Sequence, residues 1–321
     1  MTQRWGLIDH PGSSEHKQHA TPTPLAGGTA LVISLAVLTL ILGLWRVQHV
    51  PVVFGAAFIV YLFGLWDDAR GLKALPKLTG QLLASVLLIS ADVSVQFMES
   101  IRLPFLSSDS ARLLDYGITL FWLVGVTNAM NMIDSMDGLA IGLSGIAFLF
   151  FVPVTLASGQ PYLTELSVVM LGVCAGLYYY NLTPARMFLG DSGAQTLGFI
   201  VAAVAMIYAP AGLSPASSWF VPILLVALPV FDTTLVVYSR LRRRQPFYRA
   251  HLDHIYHRLV ALGLDSRRAV FTVHLASIVI SLLAFVALLS PPLVANVIFV
   301  GVLLVGGGLI GWLEHRPLRS E

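Results

Sequence analysis

Ten long apolar runs constrain the fold of this chain more than any other feature. A helix needs about 20 residues to cross the hydrocarbon core of a bilayer. The runs are continuous and do not alternate as the strands of a membrane barrel would, so they predict an all-α polytopic integral membrane protein with about ten transmembrane helices. The predicted spans are 29–46, 51–66, 78–96, 114–133, 138–157, 162–180, 192–209, 218–238, 269–289 and 292–313.

The composition also indicates that the chain lies in a lipid bilayer. The chain is 56% hydrophobic and only 11% charged, whereas a soluble domain carries about 25% charged residues. The first 28 residues are polar and rich in Pro, Gly and His, so we expect no signal peptide. The single cysteine, Cys174, lies within a span and excludes an internal disulfide. The lipid bilayer is therefore an expected partner, and nucleic acid is not.

The distribution of Lys and Arg predicts the orientation. Ten spans place both termini on one side of the membrane. Of the 19 Lys and Arg residues, all but Arg46, Arg102 and Arg112 fall on that side. Cytoplasmic loops are enriched in these residues, so the prediction is a multi-pass protein of the plasma (inner) membrane with both termini in the cytoplasm.

Acidic side chains gather at the same cytoplasmic edge. Ionisable groups at membrane depth are costly and usually mark function. Converging carboxylates repel one another unless a cation joins them, and Mg²⁺ is commonly held by one or two carboxylates plus substrate phosphates. Six acids from four places in the chain share this edge: Asp67, Asp68, Asp134, Asp137, Asp191 and Asp232.

A basic loop at 239–268 supplies groups that bind anions. It carries His251, His254 and His257 at three-residue spacing, which on a helix makes them neighbours about one turn apart. Acids, a metal and a basic loop suggest phosphoryl chemistry, in which catalysis is mostly positioning and charge neutralisation. The membrane location suggests that one substrate is a lipid.

Structural explanations compete with each of these features. Asp67 and Asp68 could end a solvated helix, and Asn128 and Asn131 could be interhelical hydrogen-bonding residues. The arginines at 242–244 are explained by orientation and lipid headgroups. The histidines could form an interfacial patch or a zinc site.

Two other functions also compete. Intramembrane acids occur in ion-coupled transporters, but those proteins often show internal repeats and this chain shows none. A CDP-alcohol phosphotransferase matches the stretch DSMDGLA only loosely.

The motifs, taken in order, resemble the polyprenyl-phosphate N-acetylhexosamine-1-phosphate transferases, whose relatives include the peptidoglycan-precursor translocase. The similarity covers nearly the whole chain, and the motifs taken together in the expected order are more specific than any one of them. The matching stretches are GLIDHPG…HKQHATPTPLAGG at 6–28, LWDDARGL at 65–72, NAMNMIDSMDGLA at 128–140, NLTPARMFLGDSGAQTLGF at 181–199, PVFDT at 229–233 and AHLDHIYH at 250–257.

The resemblance implies transfer of N-acetylamino-sugar 1-phosphate from a UDP-sugar, UDP-GlcNAc by default, to undecaprenyl or another polyprenyl phosphate. UMP is released, and the reaction begins cell-surface polysaccharide synthesis. The implied cofactor is Mg²⁺, or Mn²⁺ in its place, and a homodimer is compatible with the family. The implied organisation is one transmembrane catalytic domain over 1–321, with a cytoplasmic-face active site, a cytoplasmic entry arm at 1–28 and the loop at 239–268.

The resemblance also implies a role for each matching residue. Asp191 is the principal Mg²⁺ ligand, with Asp68 as a second, and Asp67 and Asp68 lie beside the metal and the lipid phosphate. The implied catalytic residues are Asp67, Asp68, Asp191, His254 and His257. The implied substrate-binding residues are Asn128, Asn131, Asp134, Asp137, Asn181, Arg249, His251, Lys17 and His19.

The chain departs from the family pattern at three places. Family members usually have one more span before the entry segment. The Asp-Gly-x-Asp-Gly pattern reads Asp134-Ser135-Met136-Asp137-Gly138, and His-x-His-His reads His254-Ile255-Tyr256-His257. The last of these departures weakens any direct carry-over of the role of the pattern's second histidine to Tyr256.

Overall fold

The computed structural model describes residues 7–9, 22–101, 106–210, 213, 215–244 and 253–315, and these residues are mostly helical. A short antiparallel pair joins β1 (Ile8–Asp9) to β2 (Thr23–Pro24). The helices are α1 (Gly27–Ile41), α2 (Val50–Arg70), α3 (Ala74–Ser90), α4 (Phe97–Ile101), α5 (Ser108–Ile133), α6 (Leu139–Ala157), α7 (Pro161–Asn181), α8 (Gly190–Ile207), α9 (Pro215–Ser218), α10 (Val221–Leu225), α11 (Ala227–Arg242), α12 (Ile255–Ala261), α13 (Ser266–Leu288) and α14 (Pro292–Glu314).

The prediction of an all-α polytopic membrane protein is confirmed. Within the described residues, seven helices are long and apolar enough to cross a bilayer, namely α2, α5, α6, α7, α8, α13 and α14. Helices α1 and α3 are apolar but shorter. Helix α1 ends early because the chain turns at Gly43, whose φ of 69° favours a residue without a side chain.

The predicted eighth span is wrong as one continuous helix. The structure divides it into α10 and α11, with Val226 between them at φ −110° and ψ 18°. Pro229 explains the break, because proline has no N–H to donate to the carbonyl of Leu225 and its ring clashes with that carbonyl in a regular helix. A hydropathy profile stays high across this break, since every residue around it is apolar.

The described chain forms two compact units. The first contains 1–131 and 172–208, and in it α2 packs against both α3 and α8, while α1 packs against α8. The start of α1 is tied to the segment that leads into α8, because the amides of Gly27 and Gly28 donate to the carbonyls of Phe188 and Leu189 at 3.0 Å. Because α2 also packs against α8, the ends of α1, α2 and α8 lie close together in this unit.

The approach of α2 to α8 depends on Gly64. A Cβ at this position would lie 2.5 Å from Cα of Ser192 and 2.9 Å from the carbonyl oxygen of Asp191. Both neighbours are backbone atoms of α8, so a side chain at Gly64 has to push the helices apart.

We expect Gly64→Ala to lower the free energy of unfolding by roughly 1–3 kcal/mol, the usual cost of overpacking a tight contact. Thermal unfolding of the purified protein in detergent measures the effect. Gly55→Ala is the matched control, because Gly55 lies on the same helix and a Cβ there would meet nothing within 4 Å. Equal melting temperatures for the two variants would contradict the proposed helix contact.

The second unit contains 132–171 and 209–321, and in it α13 packs against α6, α10 and α14. Phe220 and Phe299 stack with ring centroids 4.6 Å apart. At one end, the buried Arg258 donates to the carbonyl of Leu313, to Ser239 Oγ and to Glu314 Oε1. This arginine therefore fastens the end of α14 to α11 and α12.

Candidate active site

Two carboxylates and one ammonium group meet in the first unit. Lys77 Nζ, at the first turn of α3, lies 2.8 Å from Asp191 Oδ2 and forms an ion pair with Asp67 Oδ2. The three residues come from α3, α8 and the end of α2. Asp67 is almost fully buried, at 6% exposure, and its Oδ1 also accepts the amide of Leu72 just beyond the helix end.

Asp68 has a different task from its neighbour Asp67. Its Oδ1 accepts the amide of Asp191 at 2.7 Å, and its Oδ2 accepts the amide of Ser192 at 3.1 Å. The first amides of a helix have no partner within the helix, and an anionic side chain is stabilised at that end. Asp68 therefore holds the start of α8 in place and with it the side chain of Asp191.

Gly190 allows this contact. Its φ is +71°, a conformation that other residues rarely adopt. A Cβ at Gly190 would lie 2.7 Å from Asp68 Oδ2. The GDSG stretch is thus built so that a carboxylate from α2 can reach the amides of α8.

Asn131 and Asn128 occupy different environments on α5. Asn131 lies beside the carboxylate of Asp191, and its Oδ1 is buried without a hydrogen-bond partner in the described parts of the chain. Asn128 Nδ2 instead donates to Gln81 Oε1 at 2.7 Å, and Gln81 Nε2 donates to Gln195 Oε1 at 3.0 Å. Asn128 therefore joins α5 to α3 and α8, whereas Asn131 faces the carboxylates.

The side-chain oxygens of Asp67, Asp191 and Asn131 are suitable ligands for Mg²⁺. Asp67 Oδ2 and Asp191 Oδ2 contact one cationic group, and Asn131, with its unpartnered Oδ1, adjoins Asp191. These are hard oxygen donors, and Mg²⁺ commonly takes one or two carboxylates from the protein and the rest from phosphate and water. Within the described residues no group of three or more His, Cys, Asp or Glu forms a fuller ligand cage.

The second unit holds four further predicted site residues, namely Asp134, Asp137, His254 and His257. Asp134 and Asp137 lie in the turn between α5 and α6, so the three-residue spacing that begins at Asn128 does not continue along one helix. His254 is the N-cap of α12, and His257 lies within that helix. The Tyr256 hydroxyl hydrogen-bonds to His257 Nε2.

Burial raises the pKa of Tyr256 to about 12. The phenol is therefore protonated at neutral pH and can donate a hydrogen bond to His257. This gives the tyrosine a positioning task at the place where the family pattern has a histidine.

Asn181 has a local task in the first unit. It is the last residue of α7, is buried, and donates from Nδ2 to the carbonyl of Met187 at 2.8 Å. This bond shapes the turn that leads into α8. Four predicted substrate-binding residues lie outside the described residues: Lys17, His19, Arg249 and His251.

Lys77 was missed as a site residue and was used only to predict orientation. A pattern in the sequence could have found it. Lys77, Gln81 and Ser85 form a polar row at four-residue spacing along an otherwise apolar segment, and residues four apart share a helix face. Gln81 and Ser85 are both buried, as a row facing other helices requires.

The chain is similar in sequence to known proteins. The sequence profile of "Glycosyl transferase family 4" matches residues 50–209. A "Probable undecaprenyl-phosphate N-acetylglucosaminyl 1-phosphate transferase" of Bacillus subtilis is 32% identical over 285 residues, which cover 88% of this chain and 77% of the relative. A "Decaprenyl-phosphate N-acetylglucosaminephosphotransferase" of Mycobacterium tuberculosis is 29% identical over 337 residues, which cover 96% and 82%.

A third relative is a "Phospho-N-acetylmuramoyl-pentapeptide-transferase" of Lactiplantibacillus plantarum, 32% identical over 212 residues that cover 63% of this chain and 66% of the relative. The profile match runs from α2 to the end of α8 and so includes Asp67, Lys77 and Asp191. Since the Bacillus relative aligns over most of both chains, the resemblance predicted from the motifs is confirmed, and this chain belongs to glycosyl transferase family 4.

Proposed function

We propose that this protein transfers an N-acetylamino-sugar 1-phosphate from a UDP-sugar to a polyprenyl phosphate. UDP-GlcNAc is the default donor, UMP is the leaving product, and the polyprenyl-diphospho-sugar begins a cell-surface polysaccharide such as an O-antigen or a wall glycan. The observation that carries the proposal is the meeting of Asp67, Lys77 and Asp191 at the ends of three apolar helices. The names of the relatives, which describe polyprenyl-phosphate sugar-phosphate transferases, support it.

The proposed cofactor is Mg²⁺, with Mn²⁺ as a substitute. Asp191 and Asp67 would hold the ion, because their oxygens already share a cationic partner, and Asn131 would add a neutral oxygen. Asp68 was predicted as a ligand, and its bonds to the α8 amides support a positioning role for it. When bound, the ion would neutralise charge on the diphosphate of the donor.

The residues of the chain supply position and charge. A phosphate monoester has a second pKa near 6, so polyprenyl phosphate is largely dianionic at neutral pH and needs no strong general base. Positively charged groups near a transferring phosphoryl group stabilise the charge that develops there. We infer that Lys77 serves this role.

The resemblance assigns donor contacts to further residues. The resemblance assigns the diphosphate or the sugar to His254 and His257 and the nucleotide to Asp134 and Asp137. It assigns further substrate contacts to Lys17, His19, Arg249 and His251. In the same proposal the site faces the cytoplasm, both termini are cytoplasmic and the protein resides in the plasma membrane, as the Lys and Arg distribution favours.

We expect purified protein with polyprenyl phosphate, Mg²⁺ and a panel of UDP-sugars to release UMP with one N-acetylamino sugar. Chelation with EDTA should stop the release and added Mg²⁺ should restore it, because the carboxylates alone would repel the diphosphate. Omission of polyprenyl phosphate is the control for simple hydrolysis. Full activity in EDTA would contradict the metal proposal, and absence of UMP release with every sugar would contradict the transferase proposal.

A further inference from the structure

Asp232 is a fully buried carboxylate that the proposed reaction does not use. It lies on α11 with 0% exposure. Its Oδ2 lies 2.7 Å from Nδ1 of His254, and its Oδ1 accepts the amide of Ile255 at 2.7 Å. One carboxylate thus contacts both the ring of His254 and the first amide of the helix that follows this residue.

These two contacts determine where the imidazole carries its proton. An ionised carboxylate only accepts hydrogen bonds, so Nδ1 of His254 must carry the hydrogen that joins the two residues. In a neutral imidazole the other nitrogen, Nε2, is then the acceptor. Within the described parts of the chain Nε2 has no hydrogen-bond partner, so it is the atom of the ring left for a substrate.

Capping of α12 does not by itself explain why a carboxylate is buried at position 232. A buried carboxylate costs several kcal/mol in desolvation, and a neutral side chain could cap α12 without that cost. The nearby Arg240 and Arg243 contact Asp253, and among the described residues the side chain that contacts the Asp232 carboxylate is the imidazole of His254. The carboxylate is therefore paired with the histidine and not with an arginine.

We propose that Asp232 is a positioning residue that holds His254 in the Nδ1–H tautomer and presents Nε2 to the substrate. The proposal rests on the proposed function, because it takes His254 to be a substrate-contacting residue of the transferase. It assigns to the PVFDT stretch a specific task, namely orienting a histidine that follows 22 residues later.

Asp232→Asn separates the two contacts of this side chain. The amide oxygen can still accept from Ile255, so the cap on α12 is kept. The amide nitrogen would then donate to Nδ1, which moves the ring proton to Nε2. We expect kcat to fall by roughly 10- to 100-fold, as is typical when the partner that orients a ligating histidine is lost, with a smaller change in KM for the UDP-sugar and an unchanged melting temperature.

Two further measurements test whether the effect passes through His254. Nitrogen-15 NMR of labelled histidines, with the resonance assigned by its loss in His254→Ala, should show the Nδ1–H form in the parent protein and the Nε2–H form in Asp232→Asn. The double variant should be no slower than His254→Ala alone, because residues that act through one another are not additive.

Asp265→Asn is the matched control, since Asp265 caps α13 by accepting the amide of Arg268 at 2.9 Å and contacts no histidine among the described residues. It should keep both activity and stability. Parent activity in Asp232→Asn, or an unchanged His254 tautomer, would overturn the proposal. A parent protein that releases no UMP would instead refute the proposed function, while the tautomer measurement would still report on Asp232.

Discussion

Asp191→Asn is expected to reduce transfer by about 10³-fold or more while the protein stays folded in the membrane. The reduction should be large because a neutral amide binds Mg²⁺ more weakly than a carboxylate, and the ion is proposed to supply the charge neutralisation at the diphosphate. The fold should survive because the backbone amide of Asp191, and not its side chain, bonds Asp68. UMP release at saturating UDP-sugar measures the activity, and thermal unfolding measures the fold.

Asp109→Asn controls for the removal of a carboxylate. Asp109 is exposed at the start of α5 and takes no part in the cluster, so this variant should match the parent in both assays. A dose response to Mg²⁺ adds a direct test, because loss of a ligand should raise the concentration that gives half-maximal activity. Parent turnover by Asp191→Asn at ordinary Mg²⁺ would remove this residue from the proposed metal site.

Lys77→Met should have the second-largest effect, a loss of about 10²-fold in kcat/KM. The variant removes the ammonium group that Asp67 and Asp191 share and keeps a side chain of similar length. It should also lower the free energy of unfolding by roughly 1–3 kcal/mol, because two neighbouring carboxylates are left without their partner. Raising Mg²⁺ should recover part of this stability, since the ion can join the same oxygens.

Lys73→Met is the matched control for charge at this edge of α3. Lys73 lies four residues earlier and is the exposed N-cap position of the same helix. Lys77→Arg tests geometry, because it keeps the charge but replaces a compact ammonium with a wide planar group. Equal losses of activity in Lys77→Met and Lys73→Met would contradict a specific role for Lys77 in the reaction.

The apolar runs predicted most of the helical architecture because the bilayer imposes a length and a composition on every crossing segment. The prediction failed where composition carries no information. Around Val226 every side chain is apolar, yet Pro229 removes a backbone donor and divides the helix. At Gly43 a positive φ ended a helix that hydropathy had extended to residue 46.

The acidic residues were found from sequence, but their division of labour was not. Asp67 and Asp68 are adjacent and chemically identical, and on a helix adjacent residues point about 100° apart. Asp67 therefore reaches Lys77 of α3, whereas Asp68 reaches the amides of α8. The role of each aspartate depends on the element that packs beside its face of the helix. Two adjacent aspartates in a sequence carry no information about those neighbours.

By itself the sequence determined that this is a many-helix membrane protein of a recognisable family, because hydropathy and ordered motifs are properties of local segments. Only the tertiary structure decided that Lys77 joins two of the acids, that Asn128 serves helix packing while Asn131 faces a carboxylate, and that Asp232 holds His254. The physical reason is range. Solvent preference acts on each residue where it stands, whereas hydrogen bonds and ion pairs act over about 3 Å and exist only after folding brings distant segments together.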